Sequence, residues 1–154
     1  MEIVNKRQWK INKILHYLLK ERFRKKIDFN FPKNLDRWNL INEIILIKNF
    51  SSYLEIGCDN DDAFSKIKLK DKIGVDPHSG GNFRGTSDLF FQQNNKKFDC
   101  IFIDGLHEYD QVNKDILNSL NSLNENGIIL LHDCLPKSMN QQAVPRFQWV
   151  WNGD

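Results

Sequence analysis

A chain of 154 residues that is 40% hydrophobic and 27% charged has the makeup of one globular domain able to bury a core. No apolar run approaches the ~20 residues that cross a bilayer, and the polar start MEIVNKRQWK lacks the apolar stretch of a signal peptide. No transmembrane segment is therefore expected, and a cytoplasmic location is.

Residues 8–26, QWKINKILHYLLKERFRKK, place Trp9, Ile11, Ile14, Leu15, Leu18, Leu19 and Phe23 near helical spacing, with Lys and Arg opposite. Residues 1–48 carry 12 basic against 5 acidic side chains, and the remainder carries 10 against 15. Such a basic front suits an anionic partner, but a solvated helix face accounts for it as well. The apolar stripe is expected to pack against its own domain or a second copy, which makes the N-terminal helices a candidate homodimer contact. Pro32 ends this helical region. A second helix is predicted over 35–48, with Trp38, Ile41, Ile44, Ile45 and Ile47 as its apolar side. Residues 1–34 thus read as a basic amphipathic helix and linker, and 35–154 as the main domain.

From Ser51 the pattern changes. SYLEIG reads as a buried strand ending in Gly57, DDAFSKI as a short helix and KIGVD as a second strand. HSGGNFRG reads as a loop holding a short strand at Phe83–Arg84. SDLFFQQN follows as a helix capped by Ser87. FDCIFID is a strand. EYDQVNKDILNSLNSLN is an amphipathic helix with Val112, Ile116, Leu120 and Leu123 on one side. NGIILLHD is a final strand after a glycine helix stop. Near-continuous apolar strands alternating with helices predict an α/β fold with a mostly parallel sheet covered on both faces. The three cysteines, Cys58, Cys100 and Cys134, lack CxxC spacing and read as reduced thiols.

Ligands bind such a sheet outside the carboxyl ends of its strands. Those ends read Glu55-Ile56-Gly57, Val75-Asp76, Ile103-Asp104 and Leu131-His132-Asp133. Each core is apolar and each terminus carries a charge or a glycine, because an acid buried mid-strand would cost several kcal/mol. Asp76, before Pro77, is placed either to accept ribose hydroxyls or to make a simple turn. Asp104 with the His132-Asp133 pair, on strands expected to be neighbours, reads as a divalent-cation site or as a hydrogen-bonded polar cluster. His107 is a candidate general base. Glu108 and Asp110 favour the dipole of the helix they begin.

YLEIGCDNDDAF, KIGVDPHSGG, KFDCIFIDGLHEYDQV and GIILLHDCLP resemble the successive motifs of class I S-adenosylmethionine-dependent methyltransferases. The likeness spans residues 35–136. It is strongest to the small-molecule O-methyltransferase-like group with FIDG-x-H after the fourth strand and HD after the fifth. The resemblance implies a Rossmann-like fold binding adenosylmethionine. By position it implies cofactor contacts at Glu55, Gly57, Asp76, Pro77, Ser87 and Asp104, with Asp76 on the ribose and Asp104 near the methyl donor. In relatives similar to catechol methyltransferases, the positions of Asp104, His132 and Asp133 bind magnesium. A divalent cation, Mg or Mn, is the matching expectation.

Two departures stand out. Asp61 occupies the place of the motif's second glycine, implying a crowded cofactor or a different loop. Only about twenty residues follow the fifth strand, predicting a sheet without the usual last two strands. The function expected is methyl transfer to a hydroxyl oxygen of a small molecule or sugar, with Asp104 and His107 catalytic; the alternative is a non-catalytic scaffold domain. An NAD-dependent oxidoreductase ranks below both, since GCDNDD lacks the later glycines of G-x-G-x-x-G. A metal oxygenase built on His107, His132 and one carboxylate ranks there too. No nucleic-acid partner is expected, because Trp9, Tyr17 and Phe23 read as a helix's apolar face rather than a stacking platform.

Overall fold

The computed structural model describes residues 6–19, 27–30, 32 and 35–148. In chain order it holds α1 (Lys6–Leu18), α2 (Arg37–Lys48), β1 (Ser52–Ile56), a 3-10 turn (Phe64–Lys66), β2 (Asp71–Asp76) and β3 (Phe83–Arg84). These are followed by α3 (Ser87–Gln93), β4 (Phe98–Ile103), α4 (Tyr109–Asn121), β5 (Leu123–Leu131) and a second 3-10 turn (Met139–Gln142). The five strands form one sheet in the order β3-β2-β1-β4-β5, and every neighbouring pair is parallel. Among the described residues no strand follows β5.

Side-chain alternation divides the core between the two faces of the sheet. Tyr53, Cys100 and Phe102 pack with Ile41 and Ile45 of α2 and with Phe64 and Ile67 beside the first 3-10 turn. Leu54, Ile56, Ile101 and Ile103 pack on the other face with Phe90 of α3, joined by the partly buried Ile116 of α4. Burying each such side chain contributes roughly 1.5–3 kcal/mol. These contacts, rather than helix propensity, fix the positions of α2 and α3. The Rossmann-like α/β layering read from the sequence is the observed one.

Several local expectations change. α3 is capped by Thr86, not Ser87: its side chain accepts a 3.2 Å hydrogen bond from the Leu89 N–H. Gly127 does not stop α4. The helix ends at Asn121, and Gly127 lies inside β5, where a Cβ would fall 2.8 Å from Leu123 and 2.9 Å from the Asp99 carbonyl. DDAFSKI makes only a turn and a three-residue 3-10 segment. Ile47, expected on the buried side of α2, is 78% exposed.

α1 does not pack its apolar stripe on its own domain, the first of the two expectations for it. Its apolar residues Ile11, Ile14, Leu15 and Leu18 are exposed, and its buried side chains are Asn12 and His16. Asn12 Nδ2 donates to the Arg146 carbonyl at 2.6 Å, and His16 Nε2 lies 2.9 Å from the Pro145 carbonyl. Phe147 packs on the His16 ring. Unpaired backbone carbonyls must find donors when buried, so the helix turns its polar stripe, not its apolar one, to the chain's C-terminal segment. Phe23 falls outside the described residues.

Candidate active site

With every strand parallel, all carboxyl ends share one edge of the sheet. β1 is central: its sequence successor β2 lies on one side and β4 on the other. The switch point, where such sheets open a crevice, therefore falls between β1 and β4. Gly57 ends β1 there at φ +86°, and a Cβ on it would sit 2.1 Å from the Asp104 carbonyl oxygen. Only glycine lets the two strand ends approach this closely.

Alternation past the strand ends puts Asp104 and His132 on the α2 face, next to Phe102 and Leu130. Asp104 is the hub. Its Oδ1 lies 3.0 Å from His132 Nδ1 and 3.5 Å from His107 Nε2. Its Oδ2 lies 3.1 Å from a guanidinium nitrogen of Arg37, at the start of α2. Burial works to raise the carboxyl's pKa, but the two imidazoles and the guanidinium outweigh it and hold it at about 2. His132 moves upward beside Asp104, against the opposing effect of burial. Its Nδ1 is buried and off the line of a well-formed hydrogen bond with the carboxylate. Asp133, at φ +54°, keeps its carboxylate 3.7 Å from His132 Nδ1.

Glu55 lies one step down the same face of β1. It is 2% exposed and accepts a 2.6 Å hydrogen bond from the Tyr53 hydroxyl. Burial drives its pKa up; the Tyr53 bond opposes this, nearby Asp104 adds to it, and the result is about 7. Asp76, at the end of β2, is held by backbone. Oδ2 accepts from Cys58 and Asp59 N–H at 3.1 and 3.0 Å, and Oδ1 from His78 and Ser79 N–H at 2.8 and 2.9 Å. Pro77 follows it, exposed. Ser87 Oγ accepts from Gln111 Nε2 at 3.2 Å, which ties the start of α3 to α4.

The groups that meet with ligand spacing are Asp104, His107 and His132, whose donor atoms all lie within 4.8 Å of one another. The expected set had Asp133 in the place that His107 takes. A shallow hollow of about 450 Å³, lined by Phe83, Phe90 and residues 93–96, lies off this edge and offers a single ionisable group, Lys96.

A family model described as "Methyltransferase domain" matches residues 55–134, from the buried glutamate of β1 to just past the His132-Asp133 pair. The chain belongs to this family. The structure is also similar to that of a Podospora anserina methyltransferase, PaMTH1, solved with SAH bound. The TM-score is 0.51 at 18% identity, over 87% of this chain and 74% of that one. No curated protein matches the sequence. The fold is that of the class I adenosylmethionine-dependent methyltransferases, and the activity is methyl transfer. Among the described residues no helix of this methyltransferase is long and apolar enough to cross a membrane.

Two polar residues near this edge were missed. Arg37 begins α2, where a cation opposes the helix dipole; that mismatch is the one sequence signal that its partner lies elsewhere. Asp115 is 1% exposed on α4, its pKa raised by burial, within reach of Gln111. It shares the buried side of the helix with Val112 and Ser119, where the stripe of Val112, Ile116 and Leu120 drew attention to apolar positions only.

Proposed function

We propose that the protein transfers a methyl group from S-adenosylmethionine to a hydroxyl oxygen of a small molecule, at the carboxyl edge of β1, β4 and β5. The observation that carries this reading is the convergence of His107, His132 and Arg37 on one half-buried carboxylate, Asp104, whose backbone abuts Gly57 at the switch point. When bound, the donor sulfonium supplies an electrophilic methyl group. The chain's part is to bring the acceptor oxygen into line with it and to take the hydroxyl proton. Holding reactants in near-attack geometry can lower a barrier by ~7–11 kcal/mol.

His107 is the base in this reading. Its Nε2 faces Asp104, and a carboxylate that stays ionised down to about pH 2 both orients the ring and stabilises it once the hydroxyl proton has arrived. His132 and Arg37 keep that carboxylate in place. Glu55 and Gly57 line the β1 end, toward the methionine part of the donor, and Ser87 lies at the start of α3, toward the adenine.

The donor set at Asp104, His107 and His132 also fits a divalent cation. Two imidazoles and one carboxylate suit Mn more than Mg, which prefers oxygen, and the misaligned His132 Nδ1 is a nitrogen that a cation would satisfy. A cation held there would lower the acceptor hydroxyl's pKa.

The test is transfer of labelled methyl from adenosylmethionine to a panel of hydroxyl-bearing small molecules, with and without a chelator. His107→Gln is expected to slow turnover by ~10²–10⁴, and Asp104→Asn by at least as much, with donor binding retained in the His107 variant. Full turnover in either variant would remove that residue from the chemistry. Chelator sensitivity assigns the cluster to a cation, and insensitivity assigns it to proton transfer alone.

A further inference from the structure

We propose that α1 docks the protein on an anionic lipid surface, with Ile11, Ile14, Leu15 and Leu18 entering the headgroup layer. This goes beyond the methyl-transfer reading and does not rest on it.

α1 carries three stripes. Trp9, Asn12 and His16, at i, i+3 and i+7, face the chain's own C-terminal segment. The Asn12 amide donates to the Arg146 carbonyl, the His16 ring meets the Pro145 carbonyl and Phe147, and the Arg146 guanidinium lies 5.4 Å from the Trp9 ring. Ile11, Ile14, Leu15 and Leu18, at i, i+3, i+4 and i+7, make a continuous apolar stripe and are 45% to 68% exposed. Lys6, Lys10 and Lys13, all exposed, form a third line between these two. The helix is thus held to its domain by polar contacts, and burial of its apolar stripe is a gain that the domain leaves unused.

Charge decides what covers that stripe. KRQWKINKILHYL holds four cations and no acid, and the sequence after Leu19 reads KERFRKK, with five cations and one acid. Two copies packed stripe to stripe would bring these like charges together, with no acid on either α1 to offset them. A layer of anionic headgroups supplies the opposite sign. The lysine stems run along the apolar stripe and place their ammonium groups at headgroup level. Tyr17, exposed beside the lysine line, is the kind of amphipathic ring that such an interface favours. A helix of 13 residues is about 20 Å long. It lies readily in the plane of the interface and is too short to cross the bilayer.

Co-sedimentation of the full chain with vesicles tests this. Phosphatidylcholine vesicles are compared with vesicles in which about a third of the lipid is phosphatidylglycerol. Each is run at low salt and at about 0.5 M salt, where screening cuts the reach of exposed charges to about 4 Å. Docking predicts binding to the anionic vesicles about tenfold tighter or more, and largely lost at high salt. Ile14→Ser combined with Leu18→Ser, both at exposed positions, is expected to weaken that binding about tenfold or more and to leave the thermal midpoint unchanged. Lys10→Glu combined with Lys13→Glu is expected to weaken it as much. No binding, equal binding to both kinds of vesicle, or anionic binding that either pair of substitutions leaves intact would overturn the proposal. So would a dimer in lipid-free solution, read by sedimentation equilibrium, that the serine pair dissociates, since a second copy would then cover the stripe.

Discussion

Glu55 is a buried acid inside β1, between Leu54 and Ile56, with the Tyr53 hydroxyl beside it. Its proton is retained in the fold up to about pH 7, against an ordinary 4.5. Between those limits the folded chain holds a proton that the unfolded chain has released, so stability falls as pH rises through the window. The loss by pH 8 amounts to about 3 kcal/mol. Glu55→Gln keeps an acceptor for Tyr53 and removes the titration. In urea unfolding at pH 5 and pH 8, the unaltered protein is expected to lose that much relative to the variant; parallel changes in the two proteins would rule out a buried, neutral Glu55. The strand-end residues Gly57, Asp104 and His132 were legible in the sequence because a parallel sheet places every carboxyl end on one edge. Arg37 was not, because its partner lies 67 positions along the chain and no local period records such a pairing.

At the scale of elements, Asp99 joins three strands from the opposite edge of the sheet. Oδ2 accepts from the N–H and hydroxyl groups of Ser51 and Ser52, at 2.8 to 3.1 Å, and Oδ1 accepts from Asn124 at 2.7 Å. Burial opposes this, but the bonds win and bring the carboxyl to about 2. Asp99→Ala hands those donors to solvent at a partly exposed site and is expected to cost about 1–2 kcal/mol. Because the folded pKa is depressed, that difference holds above pH 4 and fades as pH falls toward 2. Denaturant titrations of both proteins at pH 7 and pH 2.5 check it, and equal stabilities at pH 7 would show that the staple contributes nothing. The elements themselves were legible where period and burial agree, as in β1, β4 and the two-residue β3. They were misread where glycine carries two meanings. Gly127 looked like a helix stop, but it serves a register shift in the pairing of β4 and β5 and the close approach of the Asp99 backbone.

Across the whole molecule, the middle of the sheet is closed core, and the carboxyl edge is the one proposed here to take the ligands. Tyr53, Phe98, Cys100 and Ile101 are closed off in the core, while Gly57, Asp104 and His132 stand at the edge where the strand order reverses. α1 belongs to neither. Its hydrophobic period was legible, but the direction it faces was not, because Asn12 and His16 are drawn to backbone carbonyls that no sequence pattern marks. The central claim is that the carboxyl edge receives the methyl donor. Titrating adenosylhomocysteine into labelled protein and following backbone amide shifts tests it most directly. The account expects the large shifts at Gly57, Cys58, Asp104 and His132, with Ser52, Asp71 and Phe98 at the other ends of the strands unmoved. Shifts confined to those opposite ends, or none at saturating ligand with the protein folded, would contradict it.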